Sequence, residues 1–178
     1  MPSYFGCQSN NYSDQYPDTQ IYWNDPTYVC PGSGNQAVQE LSVSLNTYVN
    51  GVIRLGIYSS GNALMAEGIA AVTPGGTGWQ GHMNQASVKN AGGVSPGVLV
   101  GGAPYRLAVT QSTANMTVRV INSGANNMHY ILTDYTGGMP ATLIGGTAWN
   151  YEVTMRCGVD PYGGGGPDIS QKRIVCCS

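Results

Sequence analysis

Charge is what this sequence has least of. Lys and Arg together number 7, Asp and Glu 9, and charged residues make up 9% of the 178, against roughly 25% in ordinary soluble domains. A net charge of −2 leaves no basic stripe to neutralise phosphates, which argues against nucleic acid and against an anionic membrane surface as partners. No apolar run approaches the roughly 20 residues that a membrane helix needs. No two cysteines stand at the CxxC spacing of a zinc site, and the two histidines, His82 and His129, lie far apart; the expectation is no metal and no cofactor. The N-terminus, Met-Pro-Ser-Tyr-Phe-Gly-Cys, lacks the basic and apolar regions of a signal peptide. It reads either as a chain made for release by lysis or as one whose signal was trimmed.

What is present is apolar, polar and turn-forming. Hydrophobic residues reach 42% and glycines number 26, with Asn, Ser and Thr filling the intervals. That composition can bury a core, so the chain is not disordered, and it suits short strands joined by tight turns. The length fits one domain.

Three regions differ in texture. Residues 1–36 are aromatic, polar and turn-rich, and Thr19–Val29 reads as an edge strand packed on the main body. Residues 37–157 alternate with a period of two. Leu41, Val43 and Leu45 are spaced by Ser42 and Ser44; Ile53, Leu55 and Ile57 by Arg54 and Gly56; Tyr105, Leu107 and Val109 by Arg106 and Ala108. Asn50-Gly51 between the first two runs is a hairpin signal. Further strands are expected at Leu64–Val72, from Trp79, at Met116–Val120, at Met128–Leu132 and at Trp149–Met155. No segment carries a 3.6-residue apolar stripe. The fold class is therefore all-β, an antiparallel β-sandwich. Residues 158–178 read as a Gly-rich linker, Pro161–Pro167, and a C-terminal arm, Ile169–Ser178, that either folds back or is lent to a neighbour as an added strand.

The five cysteines fall at the ends. Cys7 with Cys30, and Cys157 with Cys176 or Cys177, are the pairings that would pin the terminal segments, leaving one thiol over. Five reduced, buried thiols are the other reading.

The candidate chemistry is sparse. Gly93-Val94-Ser95-Pro96-Gly97 satisfies the G-x-S-x-G pattern of a nucleophile elbow. Pro96, however, has no N–H to give an oxyanion hole, and strand rather than helix follows. The motif is read as a chance match, and no catalytic residue is assigned. Asp14, Asp18 and Asp25 sit close together without a calcium-loop spacing and read as solvated loop carboxylates. Glu67, Glu152, Arg54, Arg106, Arg119 and Arg156 read as cross-strand pairs on outer faces. The sequons at Asn11 and Asn115 would matter only in a secretory setting. The feature with binding character is the aromatic set Tyr16, Tyr22, Trp23 and Tyr28, which suits sugar stacking, a protein interface, or packing against the sandwich.

The order of motifs resembles a known class. Gly51-Val-Ile-Arg-Leu-Gly-Ile-Tyr-Ser-Ser, then Gly78-Trp79-Gln80, then Gly102-Ala-Pro-Tyr-Arg-Leu-Ala-Val resemble the non-catalytic jelly-roll modules of phage surface proteins and bacterial extracellular proteins, carbohydrate-binding modules among them. The resemblance spans about residues 37–157 and implies a jelly-roll sandwich without catalysis. Two functions follow as expectations. One is a structural protein of a virion or cell surface, a decoration or tail-type module that self-associates through its termini or joins other surface proteins. The other is a secreted carbohydrate-binding or adhesion module using the aromatic cluster. Either places it on a virion surface or outside the cell.

Overall fold

A computed structural model describes residues 1–8, 13–15, 20–25, 27–48, 51–112, 116–124, 127–132 and 138–163. Among these, strand is almost the only regular secondary structure. In chain order the first strands are β1 (Ser3–Gly6), β2 (Ser13–Gln15), β3 (Gln20–Asn24), β4 (Tyr28–Val29), β5 (Asn35–Thr47) and β6 (Ile53–Ser59). Next come β7 (Leu64–Gly68), β8 (Gly78–His82), β9 (Val88–Asn90), β10 (Val98–Val100) and β11 (Pro104–Gln111). The last are β12 (Thr117–Asn122), β13 (Met128–Leu132), β14 (Thr147–Trp149), β15 (Tyr151–Val153) and β16 (Met155–Pro161). One 3-10 turn, Gln85–Ser87, separates β8 from β9.

The strands form two antiparallel sheets. The first runs β1-β16-β5-β12-β15, with β8 and β10 also on β5 and β2 on β12. The second runs β14-β13-β3-β11-β6-β7-β9, with β4 on β11. The period-two pattern decides which side chains meet. Leu41, Val43 and Leu45 of β5 and Met155 of β16 share one core with Leu55 and Ile57 of β6, Leu107 and Val109 of β11, and Tyr22 of β3. The all-β sandwich expected from the sequence is thus the observed architecture.

The structure revises several local expectations. Asn50 lies outside the described residues, but β5 and β6 do not form the expected hairpin, because they lie in different sheets. Each run is apolar on one face, and stacking the two across the core buries both faces against each other. The N-terminal strand is internal rather than at an edge: β3 pairs with β13 on one side and β11 on the other. Its side chains explain this, since Tyr22 enters the main core while Ile21 and Trp23 enter a second cluster with Tyr58, Ala108, Met139 and Leu143 on the opposite face. A strand apolar on both faces needs cover on both. The cover comes from residues 138–146, tied down by bonds from Leu64 N to Ala141 O (2.9 Å), Tyr58 OH to Pro140 O (2.8 Å) and Leu143 N to Asn62 O (3.0 Å). The region read as linker from residue 158 begins as strand, since β16 continues to Pro161. Ile169–Ser178 lies outside the described residues.

No disulfide joins Cys7 to Cys30, contrary to the expected pairing; both are buried thiols, and so is Cys157. Cys30 and Cys157 pack in the apolar core, and each thiol contacts the following residue's main-chain carbonyl, Pro31 O and Gly158 O (3.7 and 3.9 Å). Burial pushes the Cys30 thiol up to about 11 and raises Cys157 well above its ordinary value. Protonated, apolar-packed thiols are poor nucleophiles. Cys176 and Cys177 lie outside the described residues.

Two buried polar groups hold the sheets in register with each other. Asn24 is fully buried at the end of β3. Its Nδ2 donates to Val153 O (2.8 Å) and to Tyr28 OH (2.9 Å), while Val153 N donates to its Oδ1 (2.7 Å). Tyr28 OH in turn donates to the Glu152 carboxylate. One amide therefore clasps the second sheet to the first. At the other side His82 of β8 points inward onto Gly68 of β7, so closely that a Cβ at Gly68 would lie 1.8 Å from Nε2. That nitrogen has no hydrogen-bond partner among the described residues.

Two outcomes follow. Asn24→Ala leaves both Val153 backbone groups buried and unpaired, and its expected cost is about 2–4 kcal/mol, read as a lower urea midpoint. His82 has its pKa lowered by burial, against a smaller opposing effect of a backbone hydrogen bond at Ala70. A depressed histidine contributes stability above its unfolded value of about 6.5 and loses it as pH falls below that. The urea midpoint is therefore expected to drop from neutral pH towards pH ~5.5, and His82→Gln to flatten that limb; an unchanged limb in His82→Gln would contradict the assignment.

Candidate functional site

The outer face of the first sheet carries the most organised polar cluster among the described residues. It follows from alternation along β5: with Leu41, Val43 and Leu45 inward, Glu40, Ser42 and Ser44 must face out. Register then sets their neighbours. Glu40 lies opposite Gly158, which lies opposite Tyr4. Ser42 lies between Arg156 and Gly81, and Ser44 opposite Trp79. The middle of this face is floored by small residues and roofed by three large flat groups.

The roof is a stack. The Arg156 guanidinium sits 4.9 Å from the Tyr4 ring centroid and 4.2 Å from that of Trp79. Its Nε donates to Glu40 Oε1 at 2.7 Å. The same carboxylate accepts from Ser42 Oγ (2.6 Å) and from Tyr4 OH (2.8 Å). Glycine makes the packing possible: a Cβ on Gly158 would fall 2.8 Å from the Tyr4 ring, and one on Gly81 2.3 Å from Leu41 O. The cost appears beneath the roof, where the hydroxyls of Ser44 and Thr154 are buried with no partner among the described residues. The hydrogen bond to Glu40, then burial, then the Glu40 charge raise the Tyr4 phenol above its ordinary value.

Beside this stack a groove of about 520 Å³ crosses the sheet, lined by Tyr4, Gln39, Glu40, Met83, Gln85 and Asp160 among others. Tyr4 and Met83 are exposed within it (37% and 50%). Gln39 Nε2 donates to Gln85 Oε1 at 3.2 Å. The geometry offers carboxylates, amides and an aromatic edge, which is binding chemistry.

The aromatic residues singled out from the sequence go elsewhere. Tyr22 and Trp23 are buried on opposite faces of β3 (2% and 3% exposed), so neither ring faces solvent. Tyr28 is half-buried beside Asn24 and Glu152; Tyr16 lies outside the described residues. Tyr22 instead begins a ring series, Tyr22–Tyr130–Trp149–Tyr151, with centroid spacings of 5.9, 5.0 and 6.1 Å, which brings Trp149 to the surface at the sandwich edge. Asp25 is engaged by Arg106 (3.3 Å) and His129 (3.5 Å); Asp18 and the Asp14 side chain lie outside the description. Ser95 sits in the loop between β9 and β10 with its hydroxyl donating to Val88 O (3.0 Å). Glu67 pairs with Lys89 (3.2 Å). Of the site just described, the sequence singled out Arg156 for its charge and Trp79 for its place in a strand motif. The signal for the rest was a lone acid, Glu40, on the polar side of an apolar strand.

If the Glu40–Arg156 pair holds this face together, Glu40→Gln costs about 2–3 kcal/mol, because a partly buried guanidinium loses its counter-charge. In a double-mutant cycle with Arg156→Met, the double mutant is expected to cost clearly less than the sum of the two single costs; strict additivity would show the pair is not coupled.

Comparison with known protein families, with curated proteins and with solved structures gives no match.

Proposed function

We propose that this chain is a non-enzymatic structural module of a virion or cell surface, one that assembles with protein partners, copies of itself included, through the side of the molecule where its first and last described strands lie. The observation that carries the reading is the edge of the first sheet. β1 pairs with β16 alone among the described strands, so its other row of N–H and C=O groups is a template for strand addition. The strand carries no charged residue that would blunt it. Ser3 lies opposite Val159, and β16 ends at Pro161, so both ends of the described chain emerge together, beside the groove. A charge-poor surface favours close packing of copies, since little self-repulsion opposes it.

The test is sedimentation velocity of the full chain under reducing conditions, over a range of concentrations, beside a chain shortened after Gly163. The full chain is expected to form discrete oligomers and the shortened one to dissociate to monomers. A full chain that stays monomeric up to millimolar concentration would reject self-assembly.

A further inference from the structure

The groove on the outer face has an electrostatic sign. The charged side chains lining it are carboxylates, Glu40 and Asp160. Glu40 is neutralised by Arg156, whereas Asp160 has no ion-pair partner among the described residues. Asp160 is near enough to Tyr4 for its charge to be felt at the phenol. A ligand here meets one uncompensated negative charge, which attracts a cation.

The remaining contacts suit a polypeptide. The Gln39–Gln85 pair uses one amide donor and one acceptor on each other, which leaves an acceptor on Gln39 and a donor on Gln85 for a backbone N–H and C=O. Met83 supplies an adaptable apolar wall. The groove reaches from β1 across β16 and β5 to the turn after β8, three strand spacings of about 4.8 Å, the length of some four or five extended residues at about 3.3 Å each. A sugar is served less well. Stacking needs a free ring face, yet Tyr4 lies over Gly158 with Arg156 against it, and Trp79 also has Arg156 over its ring.

We propose that this groove docks an extended polypeptide segment bearing lysine or arginine, the cation meeting the Asp160 carboxylate and the backbone meeting Gln39 and Gln85. The proposal rests on the assembly reading above and names what its contact face accepts. The chain itself contains a segment of that chemistry, Ile169-Ser-Gln-Lys-Arg-Ile-Val175, and its sequence supplies the probe.

The test uses a fluorescent, end-capped peptide of residues 169–175. The acceptor is the full chain carrying Lys172→Gln and Arg173→Gln, so that its own segment does not compete. Anisotropy is expected to show saturable binding that weakens with added salt. Adding Asp160→Asn to the acceptor, or replacing both basic residues of the peptide by Gln, is expected to weaken it about tenfold, the usual effect of losing one charge-assisted contact. Circular dichroism checks that the Asp160→Asn chain stays folded. No binding, or binding indifferent to Asp160 and to the peptide's charges, overturns the proposal. Saturable binding of cellohexaose that displaces the peptide also overturns it, in favour of a carbohydrate site. If the native chain self-associates but excess peptide and Asp160→Asn leave its sedimentation unchanged, the groove proposal fails while the assembly reading stands. If it stays monomeric yet the peptide binds as described, self-assembly fails and the groove remains a site for other partners.

Discussion

The register of β5 is the constraint on which the rest of the first sheet depends. β16, β12, β8 and β10 all take their alignment from this one strand, and it separates two environments. Leu41, Val43 and Leu45 on one side join the core; Glu40, Ser42 and Ser44 on the other form the floor of the Tyr4–Arg156–Trp79 stack. A slip of one residue would put a carboxylate in the core and leucines on the surface. Because both sets are specified, the hydrophobic core and the polar cluster enforce the same alignment. The irregularities fall where this alignment has to be adjusted, at the register shifts between Gly158 and Val159 and between Thr117 and Val118, and at Gly81, whose φ of +151° suits glycine.

Charge scarcity gives each ion pair a defined job. Glu40–Arg156 ties together side chains from β5, β16, β1 and β8. Glu67 pairs with Lys89 between β7 and β9, and also accepts from Met139 N (3.1 Å), which anchors the covering segment. Asp25 joins Arg106 of β11 to His129 of β13 across β3. Surface pairs are usually worth little, because water screens them and long side chains lose entropy. These pairs sit at junctions between strands, so they define geometry even where their net energy is small.

The sequence revealed the strands well and their partners poorly, for a physical reason. Alternation is a local property, and Leu41–Leu45, Ile53–Ile57 and Tyr105–Val109 could each be placed from their own residues. Pairing is non-local. Asn50-Gly51 looked like a hairpin turn because its residues favour one, but the decision to arch between sheets is made by the facing apolar rows. Trp23, flanked by Asn and Asp, suited a binding surface and packing against the sandwich alike, and the segment 138–146 that buries it lies more than a hundred residues away. The Tyr4–Arg156–Trp79 cluster draws on strands at opposite ends of the chain, and no spacing rule links such residues. Cys7 and Cys30 looked like a disulfide from their position near one end; both are buried as free thiols instead, Cys30 within the apolar core.

The two outer faces of the sandwich are finished differently, and this asymmetry bears on where a partner would meet the molecule. The second sheet has an apolar outer surface, with Ile21, Trp23 and Tyr58, and its own chain covers it through residues 138–146. Displacing that cover would expose Trp23 and break the hydrogen bonds at Leu64, Tyr58 and Leu143, a large cost for any contact to repay. Among the described residues the first sheet is roofed only by side chains, polar along the groove, and no covering segment like 138–146 lies over it. Its outer face also adjoins the β1 edge, so a contact made on the groove and one made on the backbone edge would be contiguous. Such continuity lets several weak contacts act together, the physical condition a charge-poor module needs for stable association without a large apolar patch.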